Sequence, residues 1–149
     1  MGRSKIVKSK DKFQATVDYL TEYAGVKGAA IADSEGLVVS ESHSKEFDAE
    51  AFCAMALQIT ASIDAILPRL FKPGIEHLML KTAHDWVIIA RSDPFLLVVA
   101  ADRKADDLLN IRVNRALEMI SSHLKNKYRR ALSAGPAGAN AKNMEAIHV

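Results

Sequence analysis

The stretch AFCAMALQITASI, from Ala51 to Ile63, contains no charged residue, although Glu50 and Asp64 flank it directly. Thirteen residues are too few to cross a bilayer, and a helix without charge is too apolar to leave a whole face in water. A helix here must be covered on two sides. Its start is well marked: Asp48 can accept backbone N–H groups as an N-cap, and Phe47 and Phe52 are spaced to close over that cap as a hydrophobic staple. Pro68 removes a backbone donor and crowds the preceding turn, so the helix ends or kinks there.

Helical spacing sorts this segment into two faces. Phe52, Ala56, Ile59, Ile63, Ile66, Leu67 and Leu70 share one face and are expected to lie on a sheet of the same chain. Opposite them stand Ala54, Leu57, Gln58, Ala61 and Ala65, spaced by three and four residues. This is the seam that one helix offers another, and its alanines permit close approach. The remaining helices are needed elsewhere, which makes the expected cover a second copy of the chain in a twofold dimer.

Working outward, Phe13, Val17, Leu20 and Ala24 are helically spaced, and Gly25 sits where that helix would stop. The run GVKGAAIADSEGLVVSE reads as two strands joined by a turn at Asp33-Ser34-Glu35-Gly36. After the central helix, IEHLMLKT, WVIIARS and FLLVVAAD form three strands separated by Ala83-His84-Asp85 and Asp93-Pro94. These strands lack a polar alternation, so both faces of the sheet are expected to be covered. A final helix runs from about Lys104 to Arg129 with Leu109, Val113, Leu117, Ile120 and Leu124 on one stripe. The fold class is therefore α/β, a five-stranded antiparallel sheet sandwiched between helices in the order α-β-β-α-β-β-β-α. Residues 1–9 are expected to be a basic flexible N-terminus, 10–130 the domain, and 131–149, rich in Ala and Gly, a disordered tail.

Composition narrows function mainly by exclusion. Twenty basic and 18 acidic side chains leave a net charge of +2, so no overall field directs the chain to nucleic acid. Two local basic runs stand out: Arg3, Lys5, Lys8 and Lys10, and then Lys125, Lys127, Arg129 and Arg130. A solvated tail and cations at the negative end of a helix dipole account for them, and no stable membrane insertion is expected. The start carries no signal-peptide pattern, which predicts a cytoplasmic protein. Cys53, the single cysteine, reads as a buried small hydrophobe. The chain has neither a phosphate-binding Gly loop nor a nucleophile elbow. His43, His77, His84, His123 and His148 have no metal-ligand spacing, and Asp106-Asp107 is explained by a helix start. No cofactor, metal or active site is expected. Only Arg69 and Arg91 lie where an arginine could reach a partner's phosphate.

The run GVKGAAIADSEGLVVSE, the apolar helix from Ala51, and WVIIARSDPFLLVVAADRKADDLLNIRVNRALEMI together resemble the Roadblock family, and within it the MglB-like bacterial and archaeal members. The likeness spans roughly residues 10 to 125. It departs from the family at Asp107-Leu108-Leu109-Asn110-Ile111-Arg112, where Leu109 occupies a position usually held by glycine and Arg112 aligns with the usual arginine. The resemblance implies a homodimer with paired second helices and with third strands joined edge to edge, which adds His77 and Met79 to the interface. It also implies a small Ras-like GTPase as partner; Gln58, Ser62 and Arg69, which are expected to point away from the sheet beside the dimer seam, are the candidate contacts for it. Such members accelerate GTP hydrolysis by arranging the GTPase's own residues. The alternative is a non-catalytic scaffold of the same fold in a polarity, motility or signalling complex.

Overall fold

The computed structural model describes residues 8–69 and 76–134. Along the chain lie α1 (Lys8–Thr21), β1 (Val26–Ala32), β2 (Val38–His43), α2 (Ala49–Ile66), β3 (His77–Lys81), β4 (Asp85–Ser92), β5 (Phe95–Asp102) and α3 (Leu108–Ala134). The five strands form one antiparallel sheet in the order β2-β1-β5-β4-β3. The β1–β2, β3–β4 and β4–β5 pairings join strands that follow one another in the chain, and β1 meets β5 only once the chain has passed through α2, β3 and β4.

Strand alternation divides the sheet into two cores. On one face Ala29, Ile31, Ile88, Leu97 and Val99 pack with Phe13, Val17 and Leu20 of α1 and with Leu109, Val113 and Ile120 of α3. On the other, Ala30, Ala32, Val87, Ile89 and Val98 pack with α2. The sequence reading of one helix on one side and two on the other holds.

Local signals place the ends of the elements. Asp48 caps α2 by accepting the Ala51 backbone N–H at 3.1 Å, and the rings of Phe47 and Phe52 stack with centroids 4.9 Å apart. The α-helix stops at Ile66, and Leu67–Arg69 continue as a single 3₁₀ turn around Pro68. Gly25, at φ +95°, turns the chain out of the segment after α1, and Gly36, at φ +83°, completes the β1–β2 turn. Asp33 holds that turn by accepting the backbone N–H groups of Glu35 and Leu37 at 2.9 and 3.0 Å.

Several expectations need correction. The inward stripe of α2 is Ala49, Cys53, Ala56 and Thr60, flanked by half-buried Phe52, Ile59 and Ile63. Ile66, expected on the sheet, is 61% exposed. Small residues at the centre of the contact let α2 sit close to Ala30 and Ala32, and this rotates the bulkier residues to the flanks. Leu70 lies outside the described residues. The sheet is not covered on both faces throughout: β3 alternates exposed and half-buried, because α1 and α3 do not extend over this edge strand. Helix α1 already begins at Lys8, inside the expected flexible start, and α3 extends to Ala134, past the expected end of the domain. The other expectations for residues 1–7 and 135–149 fall outside the described residues. Leu109, in the glycine position, is fully buried in the α1–α3 core, so a side chain fits there.

Candidate functional site

The outer face of α2 is the feature the fold leaves unfinished. Ala54, Gln58, Ala61 and Ala65 are exposed along it, and Leu57 is half-buried between them. Ser62 and Arg69 are exposed further along the same element and its terminal turn. This face presents methyl groups, a carboxamide and a hydroxyl, with Glu50 at its start and Arg69 at its end. In the isolated protomer it is an apolar surface with nothing packed on it.

Grooves run along both sides of Leu57. One is bounded by Glu35, Leu37, Glu50, Ala54 and Gln58. The other, about 420 Å³, runs past Thr60, Ala61 and Asp64 to Arg91, Pro94 and Phe95 in the β4–β5 hairpin. Leu37 is 61% exposed at the tip of the β1–β2 turn and widens the apolar surface beyond α2. The sequence offered no sign of this, since Leu37 reads as the first residue of a strand. Gly36 beneath it is favoured by its positive φ, and a Cβ there would lie 2.9 Å from Leu57 Cδ2, the end of a side chain that can shift to make room.

Arg91 donates to Asp64 at 2.7 Å, tying β4 to the last turns of α2. A guanidinium held this way is a structural tie rather than a free reaching group. His77 and Met79 are exposed on edge strand β3, but their side chains point to the α1/α3 side, whereas Leu78 and Leu80 join the α2 core. The structure therefore separates His77 and Met79 from the α2 seam by the thickness of the sheet. Edge-to-edge pairing at β3 and helix pairing at α2 are two distinct contacts.

No acid–base or nucleophilic constellation appears among the described residues. Cys53 is fully buried, and burial pushes its thiol up to about 11. No group of three potential metal ligands forms among the described residues. Asp106 caps α3 by accepting the Leu108 N–H at 3.2 Å and also accepts from the Tyr23 hydroxyl, a bond that raises the tyrosine above its ordinary range. Arg112 lies over the rings of Tyr19 and Tyr23 and donates to the Tyr19 carbonyl at 2.7 Å, which fixes α1 against α3. With its 3₁₀ turn, α2 spans 21 residues, Ala49–Arg69, and by length and composition it is sufficient to cross a bilayer, unlike its 13-residue uncharged centre. Its inward stripe and the Asp64–Arg91 tie hold it on the sheet.

Residues 12–101 match the family model of the Roadblock/LC7 domain. This chain belongs to the Roadblock/LC7 family. An uncharacterized protein of Methanocaldococcus jannaschii is 27% identical to it over 99 residues, which cover 66% of this chain and 84% of that protein. Among solved structures, Myxococcus xanthus MglB superposes with a TM-score of 0.73 at 18% identity, covering 78% of this chain and 90% of its own. The gliding protein MglB from Thermus thermophilus gives a TM-score of 0.73 at 14% identity, covering 79% and 92%. At these identities the likeness shows the MglB-like fold.

Proposed function

We propose that this Roadblock/LC7 protein is a homodimeric regulator of a small Ras-like GTPase and activates it by positioning the GTPase's own catalytic groups. The observation that carries this reading is the uncharged, exposed outer face of α2. A surface of alanines at helix-pairing spacing suits a second copy of the same helix, and two such helices side by side form a broad platform. Gln58, Ser62 and Arg69 flank the alanine seam and are the contacts through which the GTPase is read.

Positioning is the mechanism that fits the chemistry of the chain. Phosphoryl transfer requires aligned attacking and leaving groups and charge stabilisation, and an activator can supply the first by fixing the partner's mobile residues. Arg91 is engaged with Asp64, and Cys53 is a buried thiol, so neither is suited to act on a nucleotide.

Single-turnover GTP hydrolysis by a Ras-like GTPase of the same organism, with this protein at saturation, tests the proposal. Faster hydrolysis that persists in Arg91→Ala and Arg69→Ala, apart from weaker binding, supports positioning. A rate that collapses in either variant while binding is retained rejects it in favour of an inserted arginine. Binding without any change in rate assigns the protein to the scaffold role.

A further inference from the structure

Glu50, Ala54, Gln58, Ala61, Ala65 and Arg69 are exposed along α2 and its closing 3₁₀ turn. They are arranged symmetrically about a point between Ile59 and Thr60: counted outward from it, Gln58 matches Ala61, Ala54 matches Ala65, and Glu50 matches Arg69. When two copies of a helix lie antiparallel about a twofold axis at that point, each residue stands level with its match in the partner. Ala54 then faces the partner's Ala65, which lets the backbones approach closely. At each end of the seam the carboxylate of one copy meets the guanidinium of the other.

Neither charge is used within its own chain. Among the described residues Glu50 and Arg69 enter no ion pair, whereas the other acid inside the helix, Asp64, is tied to Arg91 at 2.7 Å. Nineteen positions of helix separate them by about 28 Å, far beyond each other's reach. The helix dipole favours an acid at the start and a base at the end, but it does not require them on the seam. The groove beside Glu50 adds an independent sign of what it receives: its polar rim holds Glu35 and Glu50 and no cation, and Leu37 and Leu57 form its apolar walls. Two carboxylates over an apolar wall suit an arginine, whose stem packs on the wall while its planar head meets a carboxylate through two donors. A parallel pairing would instead set Glu50 against the partner's Glu50 and Arg69 against the partner's Arg69, a repulsion at each end.

We propose that Arg69 of each copy enters the groove bounded by Glu35 and Glu50 of the other, and that this pair of reciprocal latches holds two α2 helices antiparallel in a single register. Glu50 and Arg69 are thereby the residues that select the partner: a second copy of this chain satisfies both latches, and a helix without complementary charges at its two ends satisfies neither. The latch rests on the homodimer reading and adds to it an orientation, a register and a basis for self-selection. A guanidinium carries five N–H donors, so a latched Arg69 keeps donors for a GTPase seated over the seam.

The dimer dissociation constant of the full chain, measured by sedimentation equilibrium at low salt, tests it. Each latch occurs twice in a twofold dimer, so Glu50→Arg and Arg69→Glu should each weaken self-association about thirtyfold, and added salt should narrow the difference. The Glu50→Arg chain carries cations at both ends of α2 and the Arg69→Glu chain carries acids at both ends. Mixing the two should therefore yield a heterodimer of near wild-type affinity, and Glu50→Arg/Arg69→Glu in one chain should restore the homodimer. Both reversals oppose the helix dipole, so neither rescue can come from a steadier helix. Both side chains are exposed, so the variants keep the fold, which circular dichroism verifies. Two results overturn the latch while leaving the homodimer in place: single variants that associate as tightly as the wild type, or single variants that stay weak both when mixed and when combined. A wild type that is monomeric at micromolar concentration overturns the homodimer reading and the latch with it.

Discussion

Individual residues explain why this chain has one packed arrangement and no reactive centre among those described. Cys53 is the only thiol, and it sits in the inward stripe of α2 against the sheet. With its pKa raised to about 11, the thiolate is scarce near neutrality, and alkylation by iodoacetamide in mildly alkaline buffer should proceed only through unfolding. Because the folded form holds the proton more tightly than the unfolded chain, this group's contribution to stability is complete below its ordinary range and declines as pH rises toward 11. Rapid labelling of the native protein would show that the stripe is open. Gly28 is equally constrained: a Cβ there would meet Phe47 Cβ at 2.8 Å and run into its ring. Gly28→Ala should displace Phe47 from Phe52, undo the staple at the start of α2 and cost about 1–3 kcal/mol in denaturant unfolding.

At the level of elements, α2 is held at both ends by side chains and in the middle by close packing. Arg91→Ala removes the tie between β4 and the last turns of α2. The pair is partly exposed, at 24% and 39%, so the expected loss is modest, about 1 kcal/mol, and should shrink with added salt. A larger loss would mean that the hairpin depends on this tie for its packing. The contrast between the two ends of α2 shows what could be read from sequence. The Asp48 cap, the Phe47–Phe52 staple and the Pro68 stop are interactions between near neighbours, and each formed where spacing placed it. The rotation of α2 on the sheet was not legible, because it depends on Ala30 and Ala32 of β1 offering shallow positions to Ala49, Cys53 and Ala56. The open face of β3 was hidden for a similar reason: only the strand order reveals that His77 and Met79 lie beyond the reach of α1 and α3. Leu37 needed the turn to be built before its exposure meant anything, whereas the alanine seam was legible from residue spacing alone.

The whole molecule has a direction: α2 on one side of the sheet, α1 and α3 on the other. The proposed assembly uses the α2 side, and Ala61 is its most direct test. Ala61 is exposed in the protomer, so Ala61→Arg adds bulk and charge without entering the protomer's own core. Its melting temperature, measured at a concentration where the wild type dissociates, should match that of the wild type, while light scattering after size exclusion at micromolar concentration should give the mass of one chain for the variant and two for the wild type. A variant that remains dimeric would transfer the interface to edge strand β3, where His77 and Met79 lie on the opposite side of the sheet, and the helix seam would need another occupant. The GTPase reading makes a further demand on the same variant. If one GTPase spans both protomers, the monomer retains Gln58, Ser62 and Arg69 yet presents only half of the platform, and saturating amounts should bind weakly and leave hydrolysis unstimulated. A monomeric Ala61→Arg that still stimulates fully would show that one copy of α2 suffices, and the dimer would then serve assembly rather than activation.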